Sequence, residues 1–395
     1  MRFTDTPELA AWRERVRAFI AEHWTPGDSH DELATHGPNA AAYEEINDKM
    51  RQWLDKLAAS AWIAPAWPKE FGGADMSVLE QFVLNQELHE AGAPTSRPMM
   101  NLVGPTIMLH GNAEQKAEHL PPLLRGEVRW CQGFSEPGAG SDLASLQTRA
   151  VRDGDDYIIN GQKIWTSGAH RADWMFMMAR TDPAAPKHRG ISYLLLPMDS
   201  PGITIRPLIN MTDGHSFNEV FFEDVRIPVR NRIGEENRGW YVGATTLDFE
   251  RSNISRAIHS RKSIRKLVEY TRGRAAGASP VPIAYRHEIA DRAIETAVVE
   301  QLSFVIVSIQ ASGGVPNKEA SMCKMFGSEL AQRIALTEMH VTGMAGQLRD
   351  SPLLRIHGLS PAMAYLSVIP QTIAAGSSEI QRNIIATRGL GLPRG

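Results

Sequence analysis

The chain has 395 residues, of which 43% are hydrophobic and 22% are charged, with a formal net charge of −3. This length predicts two or three domains, and the composition is typical of a globular protein. The small net charge argues against nucleic acid as a partner, and two cysteines are too few for a disulfide framework.

The amino-terminal twenty residues are charged and amphipathic, without the long apolar core of a signal peptide. No apolar run approaches the roughly 18 residues of a membrane span. We therefore expect a cytoplasmic protein that does not insert into membranes. The sequence also lacks CxxC, HExxH, GxxxxGK[ST] and a GxGxxG that follows a strand, so we expect neither a metal site nor a classical nucleotide-binding loop.

The first third of the sequence is predicted to be helical. Thr6 and Pro7 form a helix start signal, a hydroxyl cap followed by proline at the first helical position. Helical periodicity follows, and it returns in residues 41–62, 77–93 and 112–127. Proline and glycine in residues 64–75 predict a loop between the stretches 41–62 and 77–93. We assign residues 1–126 to an α-helical amino-terminal domain.

The pattern then changes to short β-rich runs. In "DDYIINGQKIWTSG", residues 155–168, the pair Asn160-Gly161 predicts the turn of a hairpin. Four further strands are predicted within residues 174–182, 190–199, 202–209 and 219–228. Residues 127–236 are thus predicted to form a middle β domain.

Helical periodicity returns for residues 237–395, with a helix expected to begin near Gly239. A long amphipathic helix follows, and its basic residues are interpreted as a solvated face. Residues 285–311 are more apolar and are predicted to be buried in a helical bundle.

Two motifs of the β domain have the residue types of a ligand site. The glycine-rich loop "WCQGFSEPGAGSDLASL", residues 130–146, offers amides and hydroxyls to a planar heterocycle or a phosphate. Its alternative is a tight connection that needs glycine for φ > 0. In "NGQKIWTSGAHRADW", residues 160–174, an aromatic ring precedes two hydroxyls, which suits stacking on a ring system. The alternative for that tryptophan is packing in a core.

Several ordered segments together resemble the acyl-CoA dehydrogenase family over almost the whole chain. They are "APAWPKEFGG", "GNAEQKAEHLPPLLRGE", "SEPGAGSDLAS", "INGQKIWTSGA", "VFFEDVRIPVRNRIGEENRGW" and "AAGSSEIQRNIIATRGLGLP". The resemblance implies an α+β multidomain fold: a helical amino-terminal domain, a middle β-barrel-like domain and a carboxy-terminal four-helix bundle. It implies an FAD-dependent enzyme of lipid catabolism that converts an acyl-CoA thioester to the trans-2-enoyl-CoA. It further implies a homodimer or homotetramer that passes electrons to an electron-transferring flavoprotein.

The resemblance also assigns roles to individual residues. The flavin is expected to contact three groups: Gln132, Phe134 and Ser135; Trp165, Thr166 and Ser167; and Ser377, Ser378 and Glu379. Ser141 is expected on the CoA side of the substrate. The last flavin group lies at a predicted helix start, where amides and the helix dipole favour the negative diphosphate. Glu379 is therefore interpreted as a cofactor-side residue, not as a base.

The family reaction needs a carboxylate that removes the α-proton while flavin N5 accepts the β-hydride. Many members carry this glutamate where this chain has Ala375. Members resembling isovaleryl-CoA dehydrogenase instead carry it in an "LDLER"-like run, and here "TTLDFERSN" places Glu250 there. We therefore predict Glu250 as the base; its alternative is an acid favoured by a helix dipole. Arg251 and Asp248 are predicted substrate-side residues, with surface ion pairs as the alternative.

Two family elements that reach a neighbouring subunit's FAD are altered in this chain. Arg274 lies in a plausible place for Arg-x-x-Phe-Gly, but no phenylalanine follows, and Thr342 stands where glutamine is expected. Either the contacts are made differently in a homo-oligomer, or a different chain supplies them in a heterotetramer. The competing functions are an acyl-CoA oxidase and a non-catalytic flavoprotein of the same family.

Overall fold

The computed structural model describes residues 4–25, 48–97, 99–248, 254–275, 281–349, 356 and 359–393 of the chain. Within the described residues, five α-helices precede the first strand: α1 (Pro7–His23), α2 (Asp48–Ala59), α3 (Val78–Ala91), α4 (Met100–His110) and α5 (Ala113–Arg125). The start signal at Thr6 is confirmed, since its hydroxyl accepts a hydrogen bond from the Leu9 N–H at 3.3 Å. The proline- and glycine-containing loop that we predicted between α2 and α3 is confirmed as well, with one short 3₁₀ turn (Lys69–Phe71) inside it.

The start of α5 joins the helical region to the sheet. Asn112 and Gln115 form a reciprocal capping box at its first turn. The Gln115 side-chain amide also donates to the carbonyl oxygens of Arg230 (2.6 Å) and Arg232 (2.9 Å), just before and at the start of the last strand. The Gln115 side chain therefore caps the start of α5 and also bonds the backbone of the sheet, so it joins the two regions.

The middle region is a single eight-stranded sheet. Its strands are β1 (Trp130–Gly133), β2 (Arg149–Asp153), β3 (Asp156–Lys163), β4 (Trp174–Arg180), β5 (Ile191–Pro197), β6 (Ile203–Leu208), β7 (Phe217–Pro228) and β8 (Arg232–Ile233). Their order is β6-β7-β3-β2-β4-β5-β8, with β1 paired in parallel to β4. The four strands predicted after residue 174 are confirmed as β4 to β7. Alternate residues of the strands fill the core of this region, among them Tyr157, Ile159 and Phe222.

The predicted hairpin at Asn160-Gly161 is wrong. Both residues lie inside β3, and the tight turn comes earlier, between β2 and β3, at Gly154. Gly161 has φ +147°, and the register against β7 shifts there, so the glycine marks a β-bulge and not a turn. An added Cβ would lie 2.7 Å from the Thr148 Cα. The glycine thus allows the end of the glycine-rich loop to pass close to β3.

Replacement of Gly161 by alanine is expected to destabilise the fold by about 1–3 kcal/mol, because it adds both backbone strain and a clash with Thr148. Gly154→Ala is the matched control, since Gly154 also has positive φ but an added Cβ there meets nothing within 4 Å. Urea denaturation of both variants checks this. Equal losses of unfolding free energy would contradict the close approach.

The carboxy-terminal region contains α6 (Gly239–Asp248), α7 (Ile254–Ala275), α8 (Ile283–Ala311), α9 (Asn317–Thr342), α10 (Pro361–Val368) and α11 (Ser378–Ile384). Helices α7, α8 and α9 share one apolar core with Phe82 of α3. The helix predicted near Gly239 is confirmed; its first residue packs so closely on β5 that a Cβ would lie 2.3 Å from the Tyr193 nitrogen. The helical, sheet and bundle regions together confirm the predicted fold class.

Two expectations about the bundle need correction. The basic face of α7 is only partly solvated, since Lys262 is buried and Arg256 donates to the Gln371 side chain at 3.2 Å. Helix α8 is long and apolar enough, by length and composition, to pass as a membrane span, contrary to our expectation that no segment would. It carries Glu295, which pairs with Arg333 of α9, and Glu300, which pairs with Arg261 of α7. These pairs and its packing on α7 and α9 make it a helix of the bundle.

Candidate active site

The glycine-rich loop is anchored to β3 by a buried ion pair. Lys163, at the end of β3, is fully buried, and its Nζ donates to Glu136 Oε1 (2.8 Å) and to the Phe134 carbonyl oxygen (3.0 Å). Burial lowers the pKa of Lys163 to about 8, although the Glu136 carboxylate opposes this shift. Lys163 therefore fixes the start of the loop through two contacts, one to the Glu136 side chain and one to the Phe134 main-chain carbonyl.

Glu136 fastens the far end of the same loop. Its carboxylate accepts the backbone N–H groups of Gln147 (2.5 Å) and Thr148 (2.9 Å). Burial alone would raise the pKa of Glu136, but the Lys163 ammonium and these hydrogen bonds lower it below its ordinary value. Hence Glu136 stays ionised, and the loop from residue 136 to 148 is closed at its base.

This arrangement predicts an acid-sensitive fold. A carboxyl group whose pKa is lowered by folding stabilises the protein above its unfolded pKa, near 4.5, and this contribution is lost as the pH falls through the folded pKa. The difference in unfolding free energy between the wild type and Glu136→Gln is therefore expected to be largest near neutral pH and to shrink below pH 4.5. A difference that stays constant from pH 7 to 3.5 would contradict an ionised Glu136.

Arg180 of β4 supports the middle of the loop. It is 7% exposed, and its guanidinium donates to the carbonyl oxygens of Ala144 (2.6 Å) and Leu146 (3.3 Å) and to two carbonyl oxygens of the β4–β5 connection. Ser141, the predicted CoA-side residue, lies exposed at the apex of the loop, and its neighbour Asp142 pairs with Lys187 at 2.6 Å. The apex is thus open to a ligand while its base is rigid.

In the first predicted flavin group, Gln132, Phe134 and Ser135, a main-chain N–H is a better candidate for ligand binding than the side chains. Gln132 lies half-buried in β1, and the Phe134 ring is buried, with edge-to-face contacts to Phe176 and Tyr193. The Ser135 carbonyl accepts the Ile164 N–H at 3.0 Å, whereas no partner for the Ser135 N–H is found among the described residues. This N–H is available to a ligand.

The second predicted group follows β3 directly. Trp165 has φ +56° and its side chain is 56% exposed, so the alternative of a core tryptophan is wrong. Thr166 exchanges both backbone hydrogen bonds with Asn218 and is fully buried. Its Oγ1 has no hydrogen-bond partner in the part of the chain that the structure describes. Ser167 is also buried, with its hydroxyl 3.5 Å from the Trp165 carbonyl oxygen, a long contact for a hydrogen bond.

Asn218 of β7 fixes this segment, and sequence reasoning missed it. Its amide Nδ2 donates to the Thr166 carbonyl oxygen (3.0 Å) and to His170 Nδ1 (3.1 Å), while Oδ1 pairs with His215 Nε2 at 2.9 Å. Burial, His215 and Arg171 lower the pKa of His170, which favours the neutral ring that accepts from Asn218. A buried asparagine within an otherwise β-rich run was the available signal.

The carboxy-terminal motif forms a strained turn before α11. Ala375 and Gly376 both have positive φ, +55° and +81°. Lys324 of α9, only 7% exposed, donates to the Gly376 carbonyl oxygen at 2.6 Å, and Gln381 reaches the same carbonyl at 3.2 Å. Ala375 is thus held in a fixed position, and its methyl side chain accepts no proton.

The third predicted flavin group lies at the start of α11. Ser377 is the N-cap, and its hydroxyl accepts from the Ile380 N–H at 3.4 Å. Ser378 is buried, and its hydroxyl has no partner within the described residues. Glu379 is exposed, and hydrogen bonds from its own N–H and from Ser377 lower its pKa. An exposed, readily ionised first-turn acid agrees with the interpretation of Glu379 as something other than the base.

The predicted base lies outside the described residues, as does Arg251. Asp248 is the last residue of α6, so Glu250 follows that helix by two positions and precedes α7 by four. Arg256 in the first turn of α7 is bonded to Gln371, which precedes the turn at Ala375 by four residues. The first turn of α7 therefore lies close to the segment that leads into the turn at Ala375.

The two residues predicted to reach a neighbouring subunit differ in what the structure shows. The backbone of Arg274 belongs to the last turn of α7. Thr342 ends α9 and is buried, and its Oγ1 donates to the Glu338 carbonyl oxygen at 2.7 Å. Its hydroxyl is therefore bonded to its own helix and does not replace the longer glutamine amide of the family element.

The residues present fit a flavin cofactor. Two of the predicted contact residues, Thr166 and Ser378, are buried with unpartnered hydroxyls, a costly state that a polar ligand relieves. The Ser135 N–H and the exposed Trp165 ring add a donor and a stacking face. Among the residues that the structure describes, no group of three or more His, Cys, Asp or Glu could hold a metal ion.

Comparison with known proteins identifies the family. Residues 6–127, 131–225 and 237–390 match the acyl-CoA dehydrogenase N-terminal, middle and C-terminal domains. The chain belongs to the acyl-CoA dehydrogenase family. Members of this family are FAD-dependent oxidoreductases that act on acyl-CoA thioesters, so the cofactor and the reaction class implied by the sequence motifs are confirmed.

Several relatives of this acyl-CoA dehydrogenase match it end to end. Acyl-CoA dehydrogenase FadE26 from Mycobacterium tuberculosis is 35% identical over 404 residues, covering 100% of this chain and 99% of that protein. Two solved structures also cover 100% of both chains: "Tcur3481-Tcur3483 steroid ACAD", with 33% identity and a TM-score of 0.85, and the ChsE4-ChsE5 complex from M. tuberculosis, with 35% identity and a TM-score of 0.83. Both names describe assemblies of two different chains.

Proposed function

We propose that this acyl-CoA dehydrogenase uses Glu250 to remove the α-proton of an acyl-CoA thioester, giving the trans-2-enoyl-CoA. The observation that carries the proposal is Ala375. The structure holds this residue in a left-handed turn at the position where many family members carry the base, and its methyl group accepts no proton. Glu250 is the carboxylate that the family's alternative position supplies, and mitochondrial isovaleryl-CoA dehydrogenase from Pongo abelii is among the relatives, at 26% identity.

The packing of the bundle supports the use of position 250 in place of position 375 for the base. The Arg256–Gln371 and Lys324–Gly376 hydrogen bonds join the first turn of α7 and the first half of α9 to the segment around Ala375. Glu250 precedes α7 by four residues in the sequence, and we infer that it serves the same substrate site as a base at position 375 would. Burial of this carboxylate by the bound substrate would raise its pKa, which a base for a weakly acidic α-proton needs.

The remaining residues bind and orient. Bound FAD supplies the hydride acceptor for the β carbon. Thr166, Ser378 and the Ser135 N–H would hold the cofactor's polar groups, and Trp165 would cover one edge of its ring. Ser141 at the loop apex would bond the CoA side of the substrate. The rigid base of this loop, closed by Lys163, Glu136 and Arg180, fixes that bond relative to the flavin.

We further propose that the chain works as one subunit of a heteromeric enzyme that passes electrons to an electron-transferring flavoprotein. The altered cross-subunit elements support this assembly, because the Thr342 hydroxyl is bonded within α9. The two-chain assemblies among the solved relatives support it as well. One of those relatives is named a steroid enzyme, so a bulky, ring-bearing acyl group is the proposed substrate class.

Anaerobic titration with a panel of acyl-CoAs tests the proposed function. Ring-bearing acyl-CoAs are expected to bleach the flavin band with slow reoxidation in air, and straight-chain acyl-CoAs to bleach it less. Fast peroxide formation on admission of air would instead indicate an oxidase. Absence of bleaching with every thioester, in a preparation with full FAD, would indicate a non-catalytic flavoprotein and overturn the proposal.

A further inference from the structure

Lys163 is not part of the predicted contact set, yet it occupies an unusual position next to it. It is the largest fully buried charged side chain of the described sheet, with both of its partners in the segment that borders the proposed flavin site. A buried ammonium is costly to desolvate, and a lysine–glutamate pair is often no more stable than an apolar pair of similar volume. Stability alone therefore gives a weak account of it.

The hydrogen bond to the main chain suggests a second role. The Phe134 carbonyl, which accepts from the Lys163 Nζ at 3.0 Å, and the Ser135 N–H belong to one planar peptide group. A cation on the carbonyl oxygen of a peptide polarises the group and makes its N–H a stronger donor, as in any chain of cooperative hydrogen bonds. That N–H is the one for which the described residues offer no partner.

We propose that Lys163 is a positioning residue that orients the Ser135 N–H and strengthens it as a donor to the bound flavin. The proposal rests on the proposed placement of the flavin against Ser135. A ring that gains negative charge when it accepts a hydride is stabilised by a stronger donor, so Lys163 favours reduction without touching the ring. Glu136 holds the ammonium in place through its bonds to Gln147 and Thr148.

Of Lys163, Arg180 and Lys324, it is Lys163 that bonds the 134–135 peptide group. Arg180 also faces Glu136, but its guanidinium donates to carbonyl oxygens at residues 144, 146, 187 and 189 and not to the 134–135 peptide. Lys324 also bonds a loop carbonyl, but that carbonyl belongs to Gly376. The effect on the Ser135 donor therefore belongs to one side chain.

The test is the reduction potential of FAD in the holoenzyme, co-expressed with its partner subunit if the chain alone does not retain FAD. Lys163→Met is expected to shift the potential to more negative values and to weaken FAD binding about tenfold. Arg97→Met is the matched control: Arg97 is a buried cation, 7% exposed, that bonds the Leu124 carbonyl oxygen and Asp55 away from this site. It is expected to lower thermal stability without moving the potential.

A double variant separates the two roles of the ion pair. Lys163→Met leaves the Glu136 carboxylate uncompensated, whereas Lys163→Met/Glu136→Gln removes both charges. The double variant is expected to recover part of the lost thermal stability while the potential stays low. Recovery of the potential together with the stability would assign the effect to the uncompensated carboxylate and overturn the proposal, as would an unchanged potential in Lys163→Met.

A measurement on the wild type covers the case in which these variants do not fold. Since burial lowers the pKa of Lys163 to about 8, a link between its charge and flavin reduction makes the potential fall more steeply with pH above about 8. A constant slope from pH 6.5 to 9.5 would overturn the proposal. Failure of the wild-type holoenzyme to bleach with any acyl-CoA would count against the proposed function instead, because the potential and its pH slope need no substrate.

Discussion

Expressed alone, the chain is expected to purify with well under one FAD per chain. The family's cross-subunit contacts come from a glutamine and an Arg-x-x-Phe-Gly element, and here Thr342 is buried with its hydroxyl bonded to Glu338. Loss of several polar contacts to the cofactor, each worth roughly 1–3 kcal/mol, weakens binding by orders of magnitude. Absorbance of the released flavin against protein concentration measures the ratio.

Co-expression with a second chain that carries both elements is expected to raise the content toward one FAD for each pair of chains. The control is co-expression with a partner whose glutamine is replaced by threonine, which should return the low value. A singly expressed chain that elutes as a homo-oligomer with one FAD per chain would rule out the heteromeric assembly. It would leave the family reaction unaffected.

The second large effect is expected from Glu250→Gln. Removal of a general base costs about 10²–10⁴-fold in rate, and Ala375 offers no replacement. Anaerobic flavin reduction by an active acyl-CoA should therefore slow by that factor, with FAD content and thermal stability near those of the wild type. Glu269→Gln, at an exposed acid of α7 without a predicted role in the site, is the control and should keep the rate.

Relocation of the carboxylate extends this prediction. Because many family members carry the base at the position of Ala375, Ala375→Glu in the Glu250→Gln background should restore part of the lost rate. The left-handed φ of Ala375, +55°, is no worse for glutamate than for alanine. Ala375→Glu in a chain that keeps Glu250 serves as the comparison for any effect of crowding.

Local signals in the sequence predicted much of the fold. A hydroxyl followed by proline at Thr6-Pro7 starts α1, since capping depends on neighbours in the chain. The alternation of β4 to β7 likewise reflects side chains that point to opposite faces of one strand. One exception is Asn160-Gly161, where the same dipeptide that makes a tight turn makes a bulge in β3, because the partner strand β7 and the close approach of Thr148 decide the outcome.

The support of the site was the part that sequence reasoning missed. Motif resemblance named Ser135 and Thr166 as flavin contacts, but it did not name Lys163, Glu136 and Asn218. Their roles depend on contacts between distant parts of the chain, such as Lys163 with Glu136, 27 positions apart, and Asn218 with Thr166, 52 apart, which local periodicity does not encode. The available signal was a lysine at the end of a predicted strand together with a glutamate in the glycine-rich loop, because charged residues are buried mainly as pairs.

The central claim is that Glu250 removes the α-proton, and hydrogen exchange measures this step alone. An acyl-CoA analogue with sulfur in place of the β carbon can lose an α-proton but has no β-hydride to transfer. In deuterated buffer the wild-type holoenzyme is expected to incorporate deuterium at the α carbon of this analogue, and Glu250→Gln with equal FAD content is expected to incorporate essentially none. Equal incorporation by the two proteins would contradict the account.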